Sequence, residues 1–320
     1  MRTEKKFASL RSGFSIVELL TVMGVIAILI ALLVPALNMV RDYSKEIQQK
    51  SQFHAIEVGV ELFKNEFGMY PESGDNMYMD KDGDGALDGA AETYAGANKL
   101  AEAMVGWDLL GVHPKSEFMN DGLSPDDSVT IYDTNQQNLE EREEQFIELE
   151  NANAFELWDI YKTNEGGEFD TNFANYVLCD VFAKGRYSGV KTGMPILYFK
   201  AHKDRYEQDS ANDFTGSGSN IDDDIYDYSD NFNLVNLGDP VTGNAHPLAD
   251  GEVGAGTNIA ALSGAVNDTN DMADFDDMIV NDKISAISSP YKAKTYILIS
   301  AGKDGLYGTS DDITNFTKEN

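Results

Sequence analysis

The chain has 320 residues, of which 42% are hydrophobic, and a formal net charge of −31. Without the N-terminal segment, this length is enough for one large domain with a core or for two small domains. The acidic balance argues against nucleic acid as a partner, because phosphate binding draws on Lys and Arg. The single cysteine, Cys179, excludes a disulfide within the chain and lies in an apolar run. That position predicts a small buried thiol, and an intermolecular bridge is the alternative.

The first predicted element is an uncharged apolar segment near the N-terminus. Residues 19–39 carry no charge, and at about 1.5 Å per residue they form a helix of about 30 Å, the thickness of a bilayer's hydrocarbon core. Four basic residues and one acidic residue precede the segment within positions 1–13. This asymmetry predicts a cytoplasmic N-terminus, with everything after Met39 outside. A secretory signal is the alternative, but it has a shorter apolar run followed by a small-residue cleavage site.

The residues at the start of this segment carry a family resemblance. A short basic leader ends in Gly13, and F-S-I-V-E follows, which makes Glu18 the fifth residue counted from Phe14 and Pro35 the twenty-second. This pattern resembles the type IV pilin class, which includes the pseudopilins of type II secretion. The resemblance implies that a prepilin peptidase cleaves between Gly13 and Phe14 and that Phe14 is then N-methylated. It implies an assembly role for Glu18 and Pro35.

Glu18 lies at the edge of the membrane segment, where a carboxylate is costly unless it is paired. The resemblance implies that it neutralises the terminal amine of a neighbouring subunit during assembly. A Glu that simply reaches the membrane interface is the alternative. The implied partners are the prepilin peptidase, other copies and minor pseudopilins in a helical filament, an inner-membrane assembly platform and membrane lipid. The implied location is the inner membrane, as a single-pass protein, before assembly and a periplasmic or surface filament afterwards.

The helix is predicted to continue beyond the membrane. Residues 41–67 contain no proline and one glycine, Gly59, and their apolar residues recur mostly every three or four positions. The stripe consists of Ile47, Phe53, Ile56, Val60, Phe63 and Phe67. It is expected to pack on a globular domain, while Pro35 removes one helical hydrogen bond. The helix end, E-L-F-K-N-E-F-G-M-Y-P, resembles that of the major pseudopilins.

The remaining elements are shorter, and no internal repeat or second domain is evident. We predict helices over 98–110, 139–161 (a solvated surface helix) and 276–287, strands over 194–200, 294–301 and 311–316, a strand or helix over 176–182, and an acidic loop over 204–230. The order predicts an α+β, pilin-like fold in which a long N-terminal helix packs on a small C-terminal antiparallel sheet, with large loop insertions. The predicted divisions are leader 1–13, helix 14–67 (membrane and assembly part 14–40) and globular domain 68–320.

The loop before the last predicted strand, I-S-A-G-K-D-G-L-Y-G-T-S-D-D-I, combines three glycines with three carboxylates. Calcium prefers six to eight oxygen ligands in flexible geometry, and mixed carbonyl and carboxylate groups suit it. The loop resembles the calcium loop of the major pseudopilins. The resemblance implies that Asp304 and one or both of Asp311 and Asp312 bind the ion, with carbonyls near Ala301 and Leu306. A Gly-Asp hairpin without metal is the alternative.

A second acidic loop, D-K-D-G-D-G-A-L-D, has the spacing of an EF-hand loop. Its members Asp80, Asp82, Asp84 and Asp88 stand at loop positions 1, 3, 5 and 9. Position 12 carries Ala91 in place of the bidentate acid, so the loop resembles a dockerin-type calcium loop more than a complete EF-hand. A solvated acidic turn is the alternative.

We expect no enzyme activity, because none of the four histidines stands in a zinc-binding spacing and no nucleophile or phosphate-loop motif is present. The motifs favour a pseudopilin subunit that assembles, after leader cleavage, into a periplasmic pseudopilus driving type II protein secretion. A type IV pilin or minor pilin of a surface filament is the alternative, because the acidic insertions are long. A membrane-anchored, calcium-dependent binding module is a third possibility.

Overall fold

The fold is mixed α+β. The computed structural model describes residues 15–74, 94–120, 122–124, 129–161, 176–186, 189–208, 224–241, 246–249 and 275–317. The chain divides into two compact units, Met1–Glu46 and Ile47–Asn320. The predicted combination of a long N-terminal helix with small antiparallel sheets is confirmed.

Helix α1 comprises Ile16–Phe67 and continues through Pro35. In the first unit its large apolar side chains are exposed on all sides, from Ile16 to Val40. A helix that is apolar all round requires an apolar environment. Among the described residues, α1 is the helix that is long and apolar enough to cross a membrane.

The second unit contains the rest of α1, which is buried along one side. The buried residues are Gln49, Gln52, Phe53, Ile56, Gly59, Val60 and Phe63. The predicted stripe is therefore right for four of its six members, while Phe67 is half-buried and Ile47 is exposed. Two glutamines extend the buried side because their amides bind main chain. Gln52 Nε2 donates to the carbonyl of Cys179 at 2.9 Å, and Gln49 Oε1 accepts from the Val181 N–H at 2.9 Å.

Within the described ranges, seven strands form three antiparallel sheets. The sheets are β1 (Ala154–Glu156) with β2 (Tyr176–Leu178), β3 (Lys184–Gly185) with β4 (Lys191–Thr192), and β5 (Leu197–Lys200), β6 (Tyr296–Ser300) and β7 (Ile313–Thr314) in the order β5-β6-β7. The further helices are α2 (Gly96–Val105), α3 (Gln136–Glu141), α4 (Leu149–Ala152), α5 (Leu157–Ile160) and α6 (Phe232–Asn236), with a short helical segment at 275–279.

The three-stranded sheet is buried on both faces. On β6, Leu298 belongs to the core cluster that contains the α1 stripe and most of α2, whereas Ile297 and Ile299 belong to a second cluster. The second cluster includes residues of 225–237 and 275–279. Strands with two buried faces have continuous apolar sequences, which explains the run Y-I-L-I-S in β6. The described insertions therefore cover the sheet face opposite α1.

The surface helix predicted over 139–161 is wrong. The segment forms the end of α3 and then α4, β1 and α5, with a non-helical stretch over 142–148 between α3 and α4. Arg142 leaves the helix because its guanidinium binds both carboxylate oxygens of Asp108, at 2.6 and 2.8 Å. Asn153 ends α4 in the left-handed conformation, with φ 53°, and β1 then pairs with β2.

Several predicted elements exist but are shorter. Helix α2 ends at Val105, before the predicted residue 110, because Gly106 turns the chain at φ 89°. The strands predicted over 194–200 and 311–316 are reduced to β5 and β7, and the helix predicted over 276–287 is confined to residues 275–279. The part of the acidic loop at 209–223 lies outside the described residues.

Gly59 allows α1 to pack closely against α2 and the segment that contains Phe146. A larger residue at this position should destabilise the second unit. A Cβ at this position would lie 2.8 Å from Met104 Sδ and 3.1 Å from the Phe146 carbonyl oxygen. Overpacking of this kind costs about 1–3 kcal/mol, so Gly59→Leu is expected to lower the thermal midpoint of the globular part. Gly24→Leu is the matched control, because nothing lies within 4 Å of its Cβ position. Equal midpoints for the two variants would contradict this packing.

Candidate functional site

The start of α1 forms a reciprocal capping pair. The Ser15 N–H donates to Glu18 Oε2 at 2.9 Å, and the Glu18 N–H donates to Ser15 Oγ at 3.1 Å. This is the capping box of an S-x-x-E sequence, which satisfies two N–H groups that lack partners in the helix. Gly13 and Phe14 lie outside the described residues, so the cleavage and methylation site is a matter of sequence alone.

Glu18 therefore has a local structural role that the sequence analysis missed, although the S-x-x-E signal is present. Its position remains compatible with a second partner, since a carboxylate offers about four lone-pair sites on its two oxygens and Glu18 is exposed. Pro35, the other predicted assembly residue, lies inside α1, 17 positions after Glu18. The helix positions both residues in the segment that is apolar on all sides.

The C-terminal loop connects β6 to β7, which pair through Ser300↔Ile313. Gly302, Gly305 and Gly308 have φ values of 60°, 76° and 88°, as the predicted turns require. A Cβ at Gly302 would lie 2.2 Å from the Asp311 carbonyl oxygen, so only glycine fits at this position. The strands thus bring the predicted ligands Asp304, Asp311 and Asp312 into one loop.

Within this loop, Asp304 and Asp311 face each other. The Asp304 N–H donates to Asp311 Oδ2 at 3.0 Å, and Thr309 Oγ1 donates to Asp311 Oδ1 at 2.6 Å. Burial raises the pKa of Asp304, and the neighbouring Asp311 charge raises it further. Burial alone would also raise the pKa of Asp311, but the hydrogen bonds from Thr309 and Asp304 outweigh it and lower that pKa. The pair therefore concentrates negative charge at one point.

Asp312 is directed into the turn that precedes it. Its Oδ2 accepts the Gly308 N–H at 2.7 Å, and its Oδ1 is buried without a hydrogen-bond partner. Burial raises the pKa of Asp312 to about 8; the Gly308 and Thr309 N–H groups oppose the rise, and the charges of Asp311 and Asp304 add to it. A buried carboxylate oxygen without a partner is costly, and a cation is one group that removes that cost.

The oxygen atoms of this loop are of the type that calcium prefers, but its side chains are not arranged around a common point. Its ligand atoms are hard oxygens. The Ala301 carbonyl accepts the Gly305 N–H and keeps a second lone pair, and the Leu306 carbonyl lies 3.3 Å from Thr309 Oγ1, whose single proton is donated to Asp311 Oδ1. Nevertheless, among the described residues no group of three or more His, Cys, Asp or Glu side chains is arranged to hold a metal ion. The side chains of the loop would have to turn toward a shared ion.

The second predicted loop, with Asp80, Asp82, Asp84 and Asp88, lies outside the described residues. Its metal binding therefore stays a prediction.

Two residues with reactive side chains, Cys179 and His246, are buried in the core. Cys179 is fully buried, as predicted, and burial raises the pKa of its thiol. His246 is also fully buried, and its Nδ1 accepts the Tyr307 N–H at 3.2 Å. Burial lowers the pKa of His246 to about 4, so the neutral imidazole holds the C-terminal loop at Tyr307, between the turns at Gly305 and Gly308. This contact joins residues far apart in the sequence, so no local sequence motif predicts it.

Comparison with known proteins found no matching family model, no matching curated protein and no matching solved structure. The N-terminal motif and the fold are therefore the features that bear on function.

Proposed function

We propose that this chain is a pseudopilin, a subunit that assembles into a periplasmic filament of the type II secretion machinery. The observation that carries the proposal is the division of α1. Its first part is exposed and apolar on every side, and its second part has one side buried in a globular α+β unit. A filament subunit needs both properties, because the apolar part must be stored in lipid before it contacts other copies.

The proposal includes the processing and partners that the N-terminal motif implies. The prepilin peptidase removes residues 1–13, and Phe14 becomes the methylated N-terminus. The chain is held in the inner membrane with its N-terminus in the cytoplasm, as the basic leader favours. It then leaves the lipid at the assembly platform and joins other copies and minor pseudopilins. No catalytic role is proposed for the chain.

Calcium is proposed as a stabilising ion at the C-terminal loop, and at the Asp80 loop by analogy. Three features support the C-terminal site: the close Asp304–Asp311 pair, the unpartnered Asp312 Oδ1, and the glycine turns of the loop. Asp304, Asp311 and Asp312 would hold the ion. Its charge would offset the repulsion of the carboxylates and fasten β7 to β6.

A type IV pilin or minor pilin of a surface filament is the second candidate. One observation favours it: the described insertions build a second core on the sheet face opposite α1, which provides a large display surface.

Deletion of this chain distinguishes the two candidates. As a pseudopilin, its loss should abolish the release of secreted proteins into the medium while surface fibres persist. The measurement is the protein content of the medium together with electron microscopy of the cell surface, with the restored chain as the control. Lost fibres with normal secretion would identify a surface pilin instead.

Glu18→Gln separates the two roles of Glu18. Glutamine preserves the capping box but removes the charge that would pair with a terminal amine. Glu18→Gln is therefore expected to reduce filament assembly as strongly as Glu18→Ala, with leader cleavage unchanged. Assembly is measured as the yield of sheared or crosslinked filaments, and Ser15→Ala, which weakens only the cap, is the matched control. Normal assembly of Glu18→Gln would show that assembly does not need the charge of Glu18.

Calcium should raise the thermal midpoint of the globular part. A site with a Kd on the order of 10⁻⁴–10⁻³ M stabilises the folded state by about 1.4–2.7 kcal/mol at 10 mM calcium. Asp312→Asn should remove the part of this rise that is due to the C-terminal loop, and Asp82→Asn the part that is due to the Asp80 loop. Each variant serves as the control for the other, and magnesium is the control for the ion. An unchanged midpoint of the wild-type chain in calcium would refute both metal sites.

A further inference from the structure

Lys184, on the β3–β4 hairpin, contacts the C-terminal loop. Its Nζ donates a hydrogen bond to the main-chain carbonyl oxygen of Asp304. A Cβ built on Gly305 would lie 2.9 Å from Lys184 Nζ and 3.7 Å from its Cε. The ammonium group therefore lies directly on the peptide that joins Asp304 to Gly305, although these residues are 120 positions away in the sequence.

Lys184 projects from a hairpin that is itself held firmly. Lys184 pairs with Thr192 across the two strands. Two residues further on, Arg186 Nε donates to the Thr192 carbonyl at 3.1 Å, and Arg186 Nη1 lies 3.2 Å from Asp239 Oδ1. Arg186 and Asp239 are both buried. Because a buried, hydrogen-bonded pair fixes its surroundings, the hairpin offers Lys184 a rigid base.

The contact completes the anchoring of Asp304. Its N–H binds Asp311 Oδ2 at 3.0 Å, and its own Oδ1 accepts the Leu306 N–H at 2.8 Å. Lys184 takes the carbonyl oxygen. With all three polar groups engaged, the Asp304 carboxylate is kept beside that of Asp311 even though like charges repel. The positive charge of Lys184 lies on the peptide next to this pair.

We propose that Lys184 is a positioning residue that keeps the C-terminal loop closed before a cation arrives. This inference rests on the proposed calcium role only for its effect on affinity. A loop that is already ordered loses less conformational freedom when the ion binds, so the ion binds more tightly. Simple electrostatics gives the opposite sign, because a lysine beside the loop repels a divalent cation. The two explanations therefore predict opposite effects of removing Lys184.

The test compares Lys184→Met with Lys191→Met in the full-length chain purified in detergent. Lys191 is exposed on the paired strand β4, so its replacement removes the same charge from the same hairpin. In EDTA, amide hydrogen exchange across residues 301–312 should be about 3- to 10-fold faster in Lys184→Met than in the wild type, as expected for the loss of one hydrogen bond. By calorimetry, Lys184→Met should bind calcium about 3- to 10-fold more weakly.

Lys191→Met should leave exchange unchanged and calcium binding equal or slightly tighter, and Lys184→Arg, which keeps a cationic donor, should restore both properties. Equal exchange in Lys184→Met and Lys191→Met would overturn the inference, as would tighter calcium binding in Lys184→Met. If the wild-type chain binds no calcium, the metal assignment fails. The exchange measurement then decides the role of Lys184 by itself.

Discussion

Within the second unit, two buried amides tie the second half of α1 to the main chain of the globular fold. Gln52 Nε2 donates to the carbonyls of Ala152 and Cys179, and Gln49 Oε1 accepts from Val181 N–H. Apolar contacts supply the area that favours burial, but they are not directional. Hydrogen bonds to main chain are directional. The glutamines therefore fix the position of the second half of α1 along its own axis, relative to the segment that follows β2. Loss of Gln49 would remove this partner of the Val181 N–H, and loss of Gln52 would remove one donor to the Cys179 carbonyl, which keeps Asn153 Nδ2 at 2.8 Å.

The sheet shows why the chain is long. Residues of β5, β6 and β7 share one core with α1, and the second core covers the other face of β5 and β6. The insertions therefore form part of the core, at least in residues 225–237 and 275–279. The β6 sequence indicated this directly, because its continuous apolar run leaves no polar face for water.

Sequence reasoning was most accurate where the determining contacts are local. Three local signals are each present in the structure: the helical spacing of apolar residues in α1, the glycine turns of the C-terminal loop, and the apolar strands. The helix expected over 139–161 failed because distant partners override its propensity: Arg142 binds Asp108, and β1 pairs with β2. The hold of Lys184 on the Asp304 carbonyl is equally nonlocal. The S-x-x-E cap at Ser15 was local and was overlooked.

The register of the central sheet determines when the protein can fold. Leu197 pairs with Ile299 and Lys200 with Tyr296, so the strands that meet lie about a hundred residues apart, a separation that slows folding. The second half of α1 is synthesised well before β6 and β7, the strands that complete its cover. A nascent chain would therefore carry an exposed apolar stripe through most of its synthesis, a state prone to aggregation. A segment able to enter a membrane early would keep such chains apart while the C-terminal strands are still being made.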